Sequence, residues 1–479
     1  MKKLIYRAVL IAAAVFCICA CEQEPEETAE TEEPFVAAPK DPPKNAIPIA
    51  SAEDLAKIGK DKDFPLNGAY KLEGDITTAG WTPIGGTLNF TGAFYGMNNK
   101  ITITSGSGGI FASLRRATIY NLKVSIKADA DAGSIGGIAN FAENSLIDGC
   151  EAAVILNLAA SIHNASAGGI VGYMKNNVTV SGCTASGAIT LTSGMNAGLM
   201  VYAGGVVGYS GSGAQGTASK NPTRITRSSW NGTVSASGGY PYVGGVVGYN
   251  YTGAKVTRCS SQGAVTATGG NLPYAGGVAG YNSGGDIAKP TVDTEAVTEN
   301  CYSTATVNAV SSSKVALAGG IAGSNACRAR ISKCYATGAV TATVNGNSAD
   351  DIGGSLGVMV AASAGGIAGA QYYKGPLVIE YCAALNTSIT GTDSASGAVW
   401  NIYRIAGAGK EGSDIGVFKG NIAYSSMTIT PTRSPTVSAT GKDGADTGNT
   451  PAQTVYAGIG MGWDFATVWQ MSGSYPVLR

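Results

Sequence analysis

Apolar and polar residues follow a pattern that repeats along this chain with a long period. A double glycine, a small apolar pair and, in most copies, another glycine occur seven times, at intervals of 32 to 46 residues. A cysteine follows six of the seven copies. Such periods are typical of solenoids, in which each repeat packs only against its neighbours. The copies lie at residues 136–140, 168–172, 204–208, 244–248, 276–280, 319–323 and 365–369.

Each repeat contains three short β-rich runs separated by Gly, Asn, Ser or Pro. Three strands and three bends in about 30 residues predict one coil of a parallel β-helix. We expect an all-β, right-handed solenoid of about 8–9 coils with N- and C-terminal caps. The β-branched residue after each double glycine should point inward, while the glycines permit bends. These inward residues are Ile138, Ile170, Val206, Val246, Val278, Ile321 and Ile367.

The cysteines occupy one equivalent position in successive repeats. Disulfides normally pair cysteines across loops, and zinc needs clustered spacings such as CxxC, so the pattern favours neither. A column of thiols suits a narrow interior, because free cysteine buries like a small hydrophobic residue. Ser228 replaces cysteine in one repeat, and Cys327, outside the column, is expected to be exposed. The predicted structural thiol ladder is Cys150, Cys183, Cys259, Cys301, Cys334 and Cys382.

Tyrosines form two further columns beside the double glycine. One set shares the parity of the inward β-branched residue, whereas the other follows the motif and should point outward. Stacked outward tyrosines are a candidate ligand-binding face for sugars or apolar protein patches. They would also stabilise the sheet without any ligand, by stacking from coil to coil. The inward set is Tyr202, Tyr242 and Tyr274, and the outward set is Tyr173, Tyr209, Tyr249 and Tyr281.

The N-terminal segment consists of a predicted targeting signal followed by a predicted tether. Positive residues precede an apolar stretch too short to span a bilayer, and residues 18–21, ICAC, resemble a bacterial lipobox. Residues 1–20 are therefore predicted to be a lipoprotein signal peptide, with lipidation of Cys21 holding the protein to a membrane. An ordinary signal peptide or a single membrane anchor is the alternative. Residues 21–47 contain eight acids and several prolines, which predicts an acidic disordered tether.

The repeat resembles a known motif. Gly-apolar-apolar-Gly, as in residues 169–172 and 277–280, resembles the GLUG repeat of bacterial surface proteins. The segments 51–58, 81–85 and 90–101 look like the opening of such proteins, and 463–479 is similar to their ending. Such repeats occur in adhesin-like proteins and beside a zinc peptidase that cleaves immunoglobulin A. The resemblance therefore implies an architecture more firmly than an activity.

The same resemblance implies the domain order. Ser51 should cap a short helix that covers the first coil, and Trp463, Phe465 and Trp469 should supply bulk for a C-terminal cap. The implied segments are an N-terminal cap and first coil at 48–104, GLUG-like repeats at 105–400, and a last coil with its cap at 401–479.

Residues that could perform catalysis are scarce. The chain has one histidine, His163, so the HExxH motif of zinc peptidases is impossible. The acidic pair Asp350-Asp351 lies in a stretch of loop composition. One insert is a candidate for calcium, although a solvated loop is the simpler interpretation. We expect no enzyme, no cofactor and no metal. The acids of that insert are Asp286, Asp293, Glu295 and Glu299.

Charge is distributed unevenly. No acidic residue occurs between Glu151 and Asp286, so Arg227 and Arg258 are candidates for anion binding. Sparse solubilising charges are the alternative. Together these patterns predict a lipid-anchored outer-membrane protein at the cell surface, with an adhesive or structural role. Its partner would be a host or cell-surface protein or glycan, and no nucleic acid. A carbohydrate-binding or polysaccharide-degrading β-helix is the competing interpretation.

Overall fold

The computed structural model shows parallel strands stacked into a solenoid. It describes residues 36–479 apart from 132, 161–163, 196–197, 212–221, 286–293, 347–359, 373–375, 394–399, 410–415 and 459. Within these residues, four long sheets, named A, B, C and D, contain 12, 16, 9 and 8 strands. Residues from Ala37 to Arg479 form one compact unit. The fold is a right-handed parallel β-helix, which confirms the prediction.

The strands of each sheet follow one another along the solenoid, coil upon coil. Sheet A contains Ile47–Ile49, Ala69–Leu72, Ala93–Tyr95, Thr118–Tyr120, Leu146–Asp148, Thr179–Ser181, Arg224–Thr226, Lys255–Thr257, Ala296–Glu299, Ala329–Ser332, Leu377–Glu380 and Gly416–Lys419. Sheet B contains Ile76–Thr78, Lys100–Gly106, Lys123–Ala130, Glu151–Ala160, Thr184–Ser193, Ser229–Gly238, Ser260–Gly269, Tyr302–Ser303, Thr306–Ser311, Tyr335–Ala336, Val340–Val344, Ala383–Ala384, Ser388–Asp393, Ile422–Tyr424, Thr428–Thr430 and Ala445–Thr447. Sheet C contains Phe111–Arg115, Ala139–Glu143, Val171–Lys175, Val207–Gly211, Val247–Tyr251, Ala279–Ser283, Ala322–Ala326, Ala368–Tyr372 and Ala406–Gly409. Sheet D contains Ser134–Gly136, Ala165–Gly168, Met200–Gly204, Tyr240–Gly244, Tyr274–Gly276, Ala316–Gly319, Ala362–Gly365 and Trp400–Tyr403.

Each complete coil passes through the four sheets in the order D, C, A and B, whereas we predicted three strands per coil. In the last four coils the sheet-B strand is divided into two short strands. The run around the double glycine forms two strands, because the chain turns a corner inside it. In one coil, Met200–Gly204 of sheet D is followed directly by Val207–Gly211 of sheet C. The eight strands of sheet D mark eight complete coils in the described part of the chain. Sheets A and B, and sheet C by one strand, continue toward the N-terminus as partial coils.

The corner between sheets D and C requires glycine because backbones approach closely there. A Cβ atom on Gly204 would lie 1.9 Å from the carbonyl oxygen of Val207. A Cβ atom on Gly205 would lie 2.2 Å from the carbonyl oxygen of Gly245 in the next coil. Neither glycine has a left-handed φ. The double glycine therefore provides space between coils, whereas the sequence analysis assigned it to conformational freedom.

The interior of the solenoid contains the predicted β-branched column and a polar column that we missed. Ile138 and its six equivalents are fully buried. In the same interior, the Asn250 side-chain amide donates to Asn282 Oδ1 at 2.8 Å, and that of Asn282 donates to Asn325 Oδ1 at 2.9 Å. These hydrogen bonds link buried amides from coil to coil. The signal in the sequence was the polar residue that directly follows the motif tyrosine, as in Tyr249-Asn250.

The two ends of the solenoid are closed in different ways. At the N-terminal end lies the helix Ala52–Lys57, whose first turn is capped as predicted: the Asp54 backbone N–H donates to Ser51 Oγ at 3.2 Å. At the C-terminal end, a second short helix, Gln453–Ala457, precedes the antiparallel hairpin Trp469–Ser472 and Tyr475–Leu478.

The aromatic residues expected in the C-terminal cap pack on a side face of the last coils. Trp463 and Trp469 pack beside Tyr335 on the outer side of sheet B, with ring centroids 6.3 and 6.1 Å away. The loop before them closes the last coil instead. Arg404, which is 1% exposed, donates to the Asp446 carboxylate at 2.6 Å and to the Asp443 backbone carbonyl at 2.9 Å. The loop is therefore held over this end by backbone pairing and by the contacts of a buried arginine. The two tryptophans are buried against a side face.

The segment before the first strand is docked on sheet A. The hydroxyls of Tyr95 and Tyr120 donate to the backbone carbonyls of Pro39 and Ala38, at 2.9 and 2.8 Å. Lys40 forms an ion pair with Asp148 at 3.0 Å. This corrects the predicted tether, because residues 38–40 of the range 21–47 lie against the folded body. In the described part of the chain, no helix is long and apolar enough to cross a membrane.

Candidate functional site

The outer face of sheet B is broad, and three neighbouring strands in its middle present no charged side chain. Three of its strands, Thr184–Ser193, Ser229–Gly238 and Ser260–Gly269, pair in register, so equivalent side chains follow one another from coil to coil. Buried apolar residues alternate there with exposed or half-buried ones, as a one-sided sheet requires. The outward residues are Thr184, Ser186, Ala188, Thr190, Thr192, Ser229, Asn231, Thr233, Ser235, Ser237, Ser260, Gln262, Ala264, Thr266 and Thr268.

A shallow groove lies at the N-terminal end of this face and has a volume of about 420 Å³. It runs across five neighbouring strands, from Lys100 to Asn231. Charged groups lie at one end, where the Lys123 ammonium is 3.3 Å from the Glu151 carboxylate. Small side chains such as Ser186 continue it toward the centre of the solenoid. The sequence analysis did not find this groove, because its lining comes from residues that are far apart in the chain.

One register column of sheet B, which contains Gly187, has an irregular backbone and separates the groove from the rest of the face. Gly187 has a φ of 117°, and a Cβ atom there would lie 2.0 Å from the Val154 carbonyl oxygen. In a later coil the strand is interrupted at the matching register, between Ser303 and Thr306. The lining residues on the long strands all precede this column. The groove therefore lies entirely on one side of this irregular column.

The four tyrosines proposed as a ligand-binding face are stacked on one another. Tyr173 and Tyr209 lie 4.3 Å apart at 5°, Tyr209 and Tyr249 5.6 Å apart at 5°, and Tyr249 and Tyr281 5.0 Å apart at 12°. Phe141 covers the other side of Tyr173 at 5.8 Å. Burial raises the pKa of the Tyr249 hydroxyl well above its ordinary value. The prediction needs correction, because rings that cover each other present edges and hydroxyls, and no open faces for a sugar.

The tyrosines predicted to point inward lie outside the main core as well. Tyr202, Tyr242 and Tyr274 belong to the same aromatic cluster as the first set. Tyr242 meets Tyr249 edge to face, with centroids 5.2 Å apart and planes at 88°. Cys327, expected to be exposed, is 9% exposed in this cluster. The two columns therefore form one interlocked layer on the outside of the corner between sheets D and C.

The cysteine column lies at the corner between sheets A and B. The backbone N–H of Cys259 donates to Cys301 Sγ at 3.4 Å, and that of Cys301 donates to Cys334 Sγ at 3.4 Å. Two other residues take the place of cysteine in this column. Ser228 Oγ accepts the backbone N–H of Cys183 at 3.2 Å, and Asn421 Oδ1 accepts the backbone N–H of Cys382 at 2.9 Å. The column thus supplies an acceptor for a backbone N–H of the preceding coil. All six predicted cysteines are buried and in the thiol form.

We expect the six column thiols to resist alkylation in the native protein. All six thiols are fully buried and therefore inaccessible to the reagent. Burial also raises the pKa of the Cys259 and Cys334 thiols well above the ordinary value, which disfavours the reactive thiolate there. Iodoacetamide treatment at pH 8 followed by peptide mass spectrometry should find these cysteines unmodified, and fully modified once guanidinium is added. A disulfide-linked peptide joining Cys301 and Cys334 would contradict this expectation.

The two arginines proposed for anion binding occupy equivalent corner positions in adjacent coils. Both have left-handed backbone, with φ of 48° for Arg227 and 53° for Arg258. Arg227 donates to Ser181 Oγ at 2.9 Å. Hydrogen bonds from Thr467 lower the pKa of the Asp464 carboxyl, and Arg258 adds a smaller effect in the same direction. Arg258 therefore already has a carboxylate as neighbour.

The remaining candidates are only partly described. Glu295, in the insert considered for calcium, accepts from Arg330 Nε at 3.2 Å, and Arg330 Nη1 also donates to Glu380 at 2.8 Å. That carboxylate is therefore engaged by a cation of the protein itself. No group of three or more His, Cys, Asp or Glu side chains in the described residues could hold a metal ion. Cys21, His163, Asp286, Asp293, Asp350 and Asp351 lie outside the described residues.

Comparison with protein families identifies one coil. The model described as "The GLUG motif" matches residues 239–266. The chain contains a GLUG motif. This confirms the resemblance, and the matched GLUG segment begins at the D strand Tyr240–Gly244 and ends within the B strand Ser260–Gly269. One GLUG motif therefore corresponds to nearly one complete coil. Proteins with the GLUG motif are typically extracellular or surface proteins.

Comparison with solved structures gives a crystal structure described as that of a "putative immunoglobulin A1 protease from Bacteroides ovatus". The alignment covers 91% of this chain and 92% of that chain, at 16% identity and a TM-score of 0.36. Comparison with curated proteins gives no match. The neighbour's name contradicts our prediction that the protein is not an enzyme, and we withdraw that prediction. At this TM-score the likeness assigns no activity to the chain.

Proposed function

We propose that this bacterial β-helix protein is an adhesive protein of the cell surface, anchored through a lipid on Cys21. The GLUG motif supports the surface location, and the lipobox-like residues 18–21 support the anchor. In this proposal the solenoid is the binding part, and the outer face of sheet B is the surface that contacts the partner.

The absence of charge on that face is the observation that carries the proposal. Fifteen outward positions between Thr184 and Thr268 are all Ser, Thr, Asn, Gln or Ala. Threonine is favoured on strands, so β-propensity alone would explain the threonines. It does not explain why lysine and glutamate, which normally solubilise an exposed sheet, are missing. Charged residues are depleted from the centres of binding interfaces, because their desolvation is costly.

The proposal predicts that cells displaying the protein attach to a host-cell surface, and that charge on sheet B abolishes attachment. Two variants test it: Thr266→Arg on sheet B, and Thr257→Arg, which adds the same charge to sheet A in the same coil. We expect the first to reduce attachment of displaying bacteria to cultured epithelial cells at least tenfold, and the control to leave it unchanged. Cys21→Ala should release the protein from the membrane fraction and abolish attachment.

Three outcomes would overturn it. Attachment equal to that of cells without the protein would remove the adhesive role. Equal attachment by both arginine variants would remove sheet B as the contact surface. Membrane retention of Cys21→Ala would remove the lipid anchor.

A further inference from the structure

We propose that the groove at the N-terminal end of sheet B binds an extended, acidic polysaccharide along the axis of the solenoid. This inference rests on the proposed function, since it names the chemical class of a ligand for the same face. It concerns the half of the face that precedes the irregular column at Gly187.

The shape of the groove suits a linear polymer. Its lining comes from five successive strands, and strands lie about 4.8 Å apart, so it extends for about 19 Å along the axis. Its floor consists of small outward side chains, Ser125, Ala153 and Ser186, in one register column. Beside them lies a second column, which contains Lys100, Lys123 and Glu151. A chain several sugar residues long fits this length, whereas a monosaccharide would leave most of it empty.

The available hydrogen-bonding groups favour a polysaccharide over a peptide. An extended peptide binds a β protein chiefly through backbone hydrogen bonds at a free sheet edge. The groove lies on the face of sheet B, where a strand such as Glu151–Ala160 pairs with neighbours on both sides. Its backbone groups are therefore already used. What remains is a set of side-chain hydroxyls, an amide and ammonium groups, which complement sugar hydroxyls and carboxylates.

The charges favour an acidic ligand. Lys100 is exposed, and no ion pair of its side chain occurs among the described residues. Asp75, on the preceding strand, accepts the Lys100 backbone N–H at 2.8 Å and does not line the groove. Lys123 faces Glu151, so the lining carries two cations and one anion, an excess of one positive charge. No aromatic ring lines the groove, which excludes recognition by stacking on the flat face of a neutral sugar.

The experiment measures binding of galacturonic acid hexamers to the purified full chain by isothermal titration calorimetry at low and high salt. The same hexamer as its methyl ester supplies an uncharged control of equal length. We expect the acid to bind and the ester to bind at least tenfold more weakly. Ala153→Trp, which fills the groove floor from an exposed position, should weaken binding at least tenfold. Ala264→Trp adds the same ring to the same sheet outside the groove and should have no effect.

Lys123→Gln supplies an independent measurement that does not depend on filling space. We expect it to weaken binding of the acid and to reduce the dependence on salt, because one ion pair with the ligand is lost. Lys255→Gln on sheet A is its control. Equal binding of acid and ester, or equal effects of the two tryptophan variants, would overturn the inference. If attachment of displaying cells persists while the hexamer does not bind, the inference fails and the adhesive function stands.

Discussion

Replacing Gly205 by alanine should lower the free energy of unfolding by about 3 kcal/mol, at the upper end of what overpacking usually costs. The added Cβ atom would lie 2.2 Å from the carbonyl oxygen of Gly245 and 2.2 Å from Cγ of the buried Trp230. The oxygen belongs to the next coil, so relief requires a shift of the backbone between coils. In an array where each coil pairs only with its neighbours, such a shift weakens the interfaces on both sides.

Guanidinium denaturation followed by circular dichroism provides the measurement, with Gly74→Ala as the matched control. A Cβ atom on Gly74 meets nothing within 4 Å. That variant should therefore change the free energy of unfolding by no more than about 1 kcal/mol, because its effect is limited to the conformational entropy of the unfolded chain. Equal midpoints for the two variants would show that the close approach at the corner does not govern stability. Gly205→Ser should behave like Gly205→Ala, because the obstacle is the Cβ atom itself.

The period of the sequence predicted the coil, but parity predicted the direction of only one of its two sets of tyrosines. A straight strand would place Val207 and Tyr209 on the same face. In the structure Val207 lies in the main core and Tyr209 in the outer aromatic cluster. The pairing is irregular at this point: Val171 and Tyr173 pair with Val207 and Tyr209, while the glycines between them are not paired. A local irregularity at a glycine therefore reverses the alternation, and composition alone does not reveal it.

The groove and the C-terminal closure were hidden for a different reason. Each depends on residues that only the stacking of coils brings together. Lys100 and Ser186, for example, are ordinary strand residues until three strand pairings align them. Arg404 meets Asp446 across 42 positions of the chain, with no repeated spacing to indicate the contact. Repetition in a sequence predicts the columns of a solenoid, whereas single, non-repeated contacts determine its ends and its binding sites.

Replacing Asp443 by alanine should open the C-terminal end of the solenoid and lower the free energy of unfolding by about 3–5 kcal/mol, as expected when one partner of a buried ion pair is removed. The Asp443 side chain is 2% exposed and forms an ion pair with Arg433. It also accepts the backbone N–H groups of Arg404 at 3.2 Å and Thr436 at 2.8 Å. Alanine would leave a partly buried guanidinium and two backbone donors without their acceptor, in the loop that covers the last coil.

Thermal unfolding and limited trypsin digestion together measure this effect, since a loosened loop exposes the bond after Arg433. We expect Asp443→Ala to lower the midpoint and to be cleaved there, and Asp443→Asn to be intermediate because it keeps acceptors for the backbone. Asp63→Ala is the control. Asp63 also pairs with a cation, Lys62, but its side chain is 70% exposed, and exposed pairs contribute at most about 1 kcal/mol. If Asp443→Ala and Asp63→Ala unfold at the same temperature, then backbone pairing of Ala445–Thr447 with sheet B, and not the buried charges, holds the end closed.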